Sequence, residues 1–147
     1  MLGITIKYLL GNTVVMNSVM VKDEMSSPVE TIPASDTVRT AAELMSKKNI
    51  GSLLVIDEEN QRGIITERDI VRAIAHGSPD EIVRTYTQKP LITIGEDSFL
   101  GDAAQLMLSK KIRRLVVTNG NGQISGILSI RDITMAVHEK FLAIFDL

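Results

Sequence analysis

Apolar positions along the chain keep one of two periods, and the two alternate. Val38, Ala41, Ala42 and Met45 follow the i, i+3, i+4, i+7 spacing of a buried helical stripe, and Leu100, Ala103, Ala104 and Met107 repeat it. Ser35 or Asp36 before the first stripe, and Asp97 or Ser98 before the second, are the expected N-caps. Leu53 to Ile56 and Leu115 to Thr118 are short apolar runs that end in the turn sequences Asp57-Glu58-Glu59-Asn60 and Asn119-Gly120-Asn121-Gly122. This predicts two β-hairpins whose second strands return as Gly63 to Ile65 and Gly126 to Leu128. Each returning strand runs into a helix starting at Thr66 or Ser129, with Ile70, Val71 and Ile74, or Ile133 and Val137, as its apolar face. The predicted order in each half is strand, helix, strand, strand, helix.

The two halves are copies of one unit. Pro28, Thr31, Ile32, Ala41, Ala42, Leu44, Met45, Lys48, Leu53 and Val55 recur 62 residues later, and Gly63, Ile64, Arg68, Asp69 and Ile70 recur 63 residues later. This divides the chain into an arm (1–20), a first repeat (21–76), a second repeat (83–137) and a tail (138–147), with His76 to Ile82 as the link. One repeat holds at most a three-stranded sheet, one face of which it cannot cover. The expected fold is therefore mixed α+β (α/β in its strand-helix alternation), with two β-α-β-β-α repeats packed sheet to sheet about an approximate twofold axis.

Composition narrows the function classes. The 147 residues are 44% hydrophobic and only 3% aromatic, so aliphatic side chains and Met must build the core of one ordinary-sized module. Zero Cys removes disulfides and thiol chemistry, and His76 and His138 alone make a poor metal ligand set. A cytoplasmic, metal-free protein is expected. The apolar Met1 to Met16 segment is interrupted by Lys7 and Asn12 well short of a membrane span. Net charge is -2 overall, but -5 over residues 21–82 and +2 over 83–147, so an anion is better received by the second half.

The residues that suggest chemistry sit where each returning strand meets its helix, Gly63-Ile64-Ile65-Thr66-Glu67-Arg68-Asp69 and Gly126-Ile127-Leu128-Ser129-Ile130-Arg131-Asp132. Glycine admits a close neighbour, a helix N-terminus favours phosphate, and a carboxylate can accept both hydroxyls of a ribose. The same spacing is also that of a helix capping box with Asp in place of Glu or Gln. Pattern alone leaves both readings open. Lys110-Lys111-Ile112-Arg113-Arg114 is a basic run without interleaved aromatics, better read as a phosphate pocket and a solvated helix end than as a nucleic-acid surface.

The chain resembles a tandem pair of cystathionine β-synthase (CBS) domains from about Val21 to Val137. The resemblance is carried by Pro28 to Ile32, Ala41 to Met45, Ile50 to Val55 and the Gly63 to Asp69 junction, each with a counterpart in the second copy. It implies a regulatory module that binds AMP, ADP, ATP or S-adenosylmethionine in clefts between the repeats. Carried over by residue, Asp69 and Asp132 would hold ribose and Thr66 and Ser129 phosphate. Ile64 and Ile127 would line the adenine slot, with backbone near Glu30 and Ile92 at its edge. Ile50, Gly51 and Ser52 would complete one cleft, and Ile112, Arg113 and Arg114 the other. The arginines make the Ser129 and Asp132 site the stronger one for phosphate. The expected protein is thus a stand-alone regulator rather than an enzyme, with no catalytic residue or catalytic cofactor and an adenine nucleotide as its regulatory ligand. Its expected partners are a second copy of itself and an unidentified protein target, without a membrane and with nucleic acid disfavoured. A ligand-free dimerisation module is the alternative, and an RNA or DNA binder using the arginine run is a third. The dimer contact is expected along Ile133, Val137, Phe141 and Ile144, with Phe145 and the arm beside it.

Overall fold

The computed structural model describes the backbone of residues 2–60 and 62–145, and the side chains of those residues outside 2–9, 141, 144 and 145. Helices α1 (Leu2–Ser18) and α2 (Val21–Glu24) come first. The first repeat then runs β1 (Thr31–Pro33), α3 (Val38–Lys48), β2 (Ser52–Ile56), β3 (Arg62–Thr66) and α4 (Glu67–His76). A 3-10 turn, Val83–Tyr86, precedes the second repeat of β4 (Thr93–Gly95), α5 (Leu100–Lys110), β5 (Arg114–Thr118), β6 (Ile124–Ser129) and α6 (Ile130–Phe145). The order expected from the apolar pattern is thus present twice.

Each repeat has a three-stranded sheet, in the orders β1-β2-β3 and β4-β5-β6. The first two strands of each sheet are parallel, joined through a helix, and the last two form the antiparallel hairpin. Val38, Ala41 and Met45 bury the stripe of α3 against Ile32, Leu53, Val55 and Ile65. Leu100, Ala103 and Met107 do the same for α5 against Leu115, Val117 and Leu128.

Three local expectations are corrected. The N-cap of α3 is Thr37, whose hydroxyl accepts the Thr40 N–H at 3.1 Å, because Ser35 and Asp36 are used in the turn leaving β1, where the Asp36 N–H donates to Pro33. Phe99, which has no acceptor, takes that place before α5, and Asp102 accepts the Phe99 N–H instead. On α4, the side packed inward is Asp69, Ile70 and Ala73, whereas Val71 and Ile74 are exposed.

Packing divides the chain into two units, one formed by Val29–Leu91 and the other by the segment up to Pro28 together with the segment from Ile92. The leader that precedes each repeat is therefore packed with the other repeat. Val83 lies in the core of the first repeat and its N–H donates to Asp36 at 2.8 Å. Val21, 62 positions earlier, lies in the core of the second and donates to Ser98 at 2.8 Å. Further along each leader, Gln88 bridges the outer edge of β3 at Ile64, and Ser26 bridges the outer edge of β6 at Ile127. The arm is helix α1, which packs on α5 and α6. It comes so close that a Cβ on Gly101 would stand 2.9 Å from the Met16 carbonyl oxygen.

The bridging leaders explain the glycine that opens each junction. A Cβ on Gly63 would lie 2.9 Å from the Gln88 carbonyl oxygen, and one on Gly126 would lie 2.9 Å from that of Ser26. What approaches these glycines is the protein's own backbone. Gly63→Ala should therefore destabilise the fold by about 1–3 kcal/mol. Gly120→Ala, with nothing within 4 Å, should change it by no more than about 0.5 kcal/mol. Urea unfolding midpoints at constant slope check the pair, and equal shifts would contradict this account.

Candidate functional site

Both junctions are closed by reciprocal caps. The Thr66 N–H and hydroxyl donate to Asp69 Oδ2 at 2.9 and 3.1 Å. The Ser129 N–H and hydroxyl donate to Asp132 Oδ2 at 2.7 and 2.9 Å, and the Asp132 N–H returns to Ser129 Oγ at 3.1 Å. The capping-box geometry is thus present in both copies, and a ligand at either junction would meet a carboxylate already holding a helix end.

Strand register brings the flanking candidates to the same place. Ser52 lies opposite Thr66 across β2 and β3, and Arg114 opposite Ser129 across β5 and β6. The Gly51 carbonyl accepts the Glu67 N–H at 3.1 Å, and the Arg113 carbonyl accepts the Ile130 N–H at 2.8 Å. Ile64 and Ile127 are half-buried at the middle of their strands, with their backbones paired to Gln88 and Ser26. The Glu30 and Ile92 carbonyls accept the Leu54 and Val116 N–H groups at 3.0 and 3.2 Å, so both already serve the sheets. The Glu30 carboxylate pairs with Lys48 at 3.3 Å, while Ile50 packs on the core of its own unit.

The two carboxylates differ in what else reaches them. Asp69 is buried, and its Oδ1 accepts the Gln88 side-chain N–H at 2.9 Å and an Arg72 N–H at 3.4 Å. Asp132 is half-buried, and no donor among the described residues reaches its Oδ1. The positions matching Gln88 and Arg72 in the second repeat are Ser26, exposed, and Met135, which has no donor. Gln88 and Arg72 were not among the residues expected at the site. A search for repeated identities passes over positions at which the copies differ, and that difference was the available signal.

Other candidates resolve into structural roles. In the acidic turn, Asp57 pairs with Lys89 at 2.9 Å and Glu58 pairs with Arg84, fastening the leader of the second repeat to the first. The Glu58 carboxyl is held below its usual range, first by a backbone N–H and then by Arg84. In the basic run, Lys110 ends α5, Lys111 is its left-handed C-cap, and Arg114 begins β5. His76 ends α4, and His138 lies inside α6, which runs on to Phe145. Among the described residues, no group of three or more His, Asp or Glu is placed to hold a metal, and no helix is long and apolar enough to cross a membrane.

Two matched repeats, each ending in a glycine-led junction capped by an Asp and each receiving the other's leader, define a paired-repeat module. The sequence pattern of the CBS domain matches residues 21–76 and 83–139, and the chain belongs to the CBS domain family, with two domains in tandem. An uncharacterized 17.7 kDa protein of Acidianus ambivalens is 39% identical over 113 residues, which is 76% of this chain and 69% of that one. The CBS domain pair of protein MJ0100, solved in complex with 5′-methylthioadenosine and S-adenosyl-L-methionine, superposes with a TM-score of 0.74 at 28% identity, covering 83% of this chain and 98% of that one. The CBS domain protein PAE2072 from Pyrobaculum aerophilum, complexed with AMP, superposes with a TM-score of 0.71 at 27% identity, covering 82% and 99%.

The unequal surroundings predict unequal stability effects. Asp132→Ala removes a cap and should cost about 1 kcal/mol. Asp69→Ala removes a cap together with the acceptor of the Gln88 and Arg72 bonds, whose exposed donors return to water, and should cost about 0.5–1 kcal/mol more. Chemical denaturation of both variants without ligand checks the order, which equal losses would contradict.

Proposed function

We propose that the protein is a regulatory module that senses an adenosine-containing ligand, AMP, ADP, ATP or S-adenosylmethionine, chiefly at the Ser129–Asp132 junction. The observation that carries this reading is Asp132 itself, half-buried at the head of α6, with Oδ1 unpaired among the described residues and Arg114 on the neighbouring strand opposite Ser129. A ribose hydroxyl suits the open oxygen. The first N–H groups of a 16-residue helix and a guanidinium suit a phosphate. Ile127, half-buried two residues before Ser129, suits the face of an adenine. The adenosine ligands carried by the two solved relatives support an adenosine-containing ligand for this chain. The groups gathered there suit binding rather than group transfer, because Ser129 and Asp132 hold each other in a cap.

The protein also acts as a homodimer in this reading. The expected contact stripe shifts, because Ile133 is buried in its own unit and Val137 packs beside it, while the Phe141, Ile144 and Phe145 side chains lie outside the described residues. Exposed apolar side chains available to a second copy include Leu10 and Val14 on α1, Val71 and Ile74 on α4, Leu108 on α5, and Met135 and Leu142 on α6. Light scattering should give twice the 16.1 kDa chain mass, and a monomer at working concentration would reject the dimer.

A ligand that binds only the folded state raises unfolding free energy by RT ln(1 + [L]/Kd), about 2.7 kcal/mol at a hundredfold excess over Kd. Millimolar AMP, ADP, ATP or S-adenosylmethionine should therefore raise the melting temperature, and no shift with any of them would reject the sensor. Arg114→Ala should weaken binding of a phosphate-bearing ligand by about ten- to a hundredfold in titration calorimetry.

A further inference from the structure

We infer that Gln88 and Arg72 occupy the diol-accepting face of Asp69, so that the chain is a one-site receptor whose first junction is shut by its own side chains. This inference rests on the adenosine-binding reading above and adds the residues that set its stoichiometry.

A carboxylate offers about four lone-pair positions. At Asp69 four donors are in place: the Thr66 N–H and hydroxyl on Oδ2, and the Gln88 amide and Arg72 guanidinium on Oδ1. At Asp132 only the two Ser129 donors are present among the described residues, both on Oδ2. A ribose diol brings two donors of its own. It can add them at Asp132, but at Asp69 it must first displace an amide and a cation.

Gln88 is held in position. Its N–H donates to Ile64 at 2.9 Å and its carbonyl accepts the Ile64 N–H at 3.1 Å, so the backbone that carries the amide is fixed to the edge of β3. Ser26 is held in the same way at Ile127, with bonds of 2.9 and 3.0 Å, yet its hydroxyl makes no bond to Asp132. The plug is therefore a property of the side chain at that position, and the frame around it is common to both units. Arg72 adds a cation one helical turn beyond Asp69, where the second repeat carries Met135. Displacing the Gln88 bond to the carboxylate weakens binding by about ten- to a hundredfold in Kd, and the half-exposed Arg72, at 3.4 Å, adds a smaller increment.

The test transplants the second repeat's residues into the first, as Arg72→Met with Gln88→Ser, and counts sites with AMP by calorimetry and equilibrium dialysis. The wild type should bind one AMP per chain, lost on Asp132→Ala and kept on Asp69→Ala provided the melting curve shows that variant folded. The double variant should bind two, and adding Asp69→Ala to it should return the count to one. Should the double variant fail to melt cooperatively, Gln88→Met, which keeps the side-chain bulk and removes the donor, should still add a weak second site. Two AMP per wild-type chain, or one per chain in wild type and variants alike, would overturn the one-site inference while leaving the adenosine reading standing. No binding of AMP, or of ADP, ATP or S-adenosylmethionine in its place, by any of the folded proteins would overturn both.

Discussion

The architecture depends on a short backbone pairing made twice, Gln88 with Ile64 and Ser26 with Ile127. Each lays the leader of one repeat along the outer edge of the other's hairpin, covering N–H and C=O groups that an edge strand would otherwise leave open. The pairing sits beside Gly63 or Gly126, where a side chain would collide with the leader's carbonyl. It also fixes where the leader's buried residue goes, so that Val83 completes the first core and Val21 the second. A motif that reads as a ligand signature therefore begins with a residue required by the chain's own topology.

That constraint also explains how two junctions with the same motif acquire different chemistry. Thr66 and Ser129 cap their helices alike, and Arg68 and Arg131 are exposed in both copies. The difference comes from outside the motif, from the leader residue laid against the strand edge and from the third residue after the Asp. A hydrogen bond to a carboxylate contributes about 1.5–3 kcal/mol and the half-exposed Arg72 pair less, so the two together correspond to at least about a ten- to hundredfold change in Kd. These bonds leave Asp69 saturated and Asp132 with an oxygen open to the proposed ligand, a difference that the shared Gly, hydroxyl and Asp do not make.

Much of this was legible in the sequence because it is local or repeated. The stripes of α3 and α5, the hairpins and the capped starts of α4 and α6 follow from spacing and turn residues, and the offset of 62 to 63 residues revealed the duplication. Which repeat a leader joins was not legible, since periodicity states that Val21 and Val83 have an apolar environment and not whose core supplies it. Thr37 was passed over as a cap because Ser35 and Asp36 carry equally good acceptors, and only the turn after Pro33 assigns them elsewhere. Val71 and Ile74 read as core because their spacing fits a helix face, whereas the face that packs inward is set by the buried Asp69 and Ala73. Arg113 and Arg114 in place of Gly51 and Ser52 are a visible difference between copies, whereas Gln88 and Arg72 lie at positions where the copies share no identity.

The helices that end the two repeats differ in length because of the residues C-terminal to them. Helix α4 stops at His76, where a side chain on Gly77 would collide with Glu81 and with Tyr86, whose phenol donates to the Glu81 carboxylate. Helix α6 instead continues to Phe145, packed along α1 and tied to α2 by the Lys140–Glu24 pair at 3.1 Å. The junction with the open carboxylate oxygen thus stands at the head of the longer helix, the one that carries both N-terminal helices, and the saturated junction heads the shorter one. A group bound at Asp132, as proposed, would act on the N–H ends and dipole of the element with the wider contacts in its unit. A change in that cap therefore bears on α1 and α2 through α6, whereas the saturated carboxylate at Asp69 anchors the leader that carries Gln88 to the first repeat.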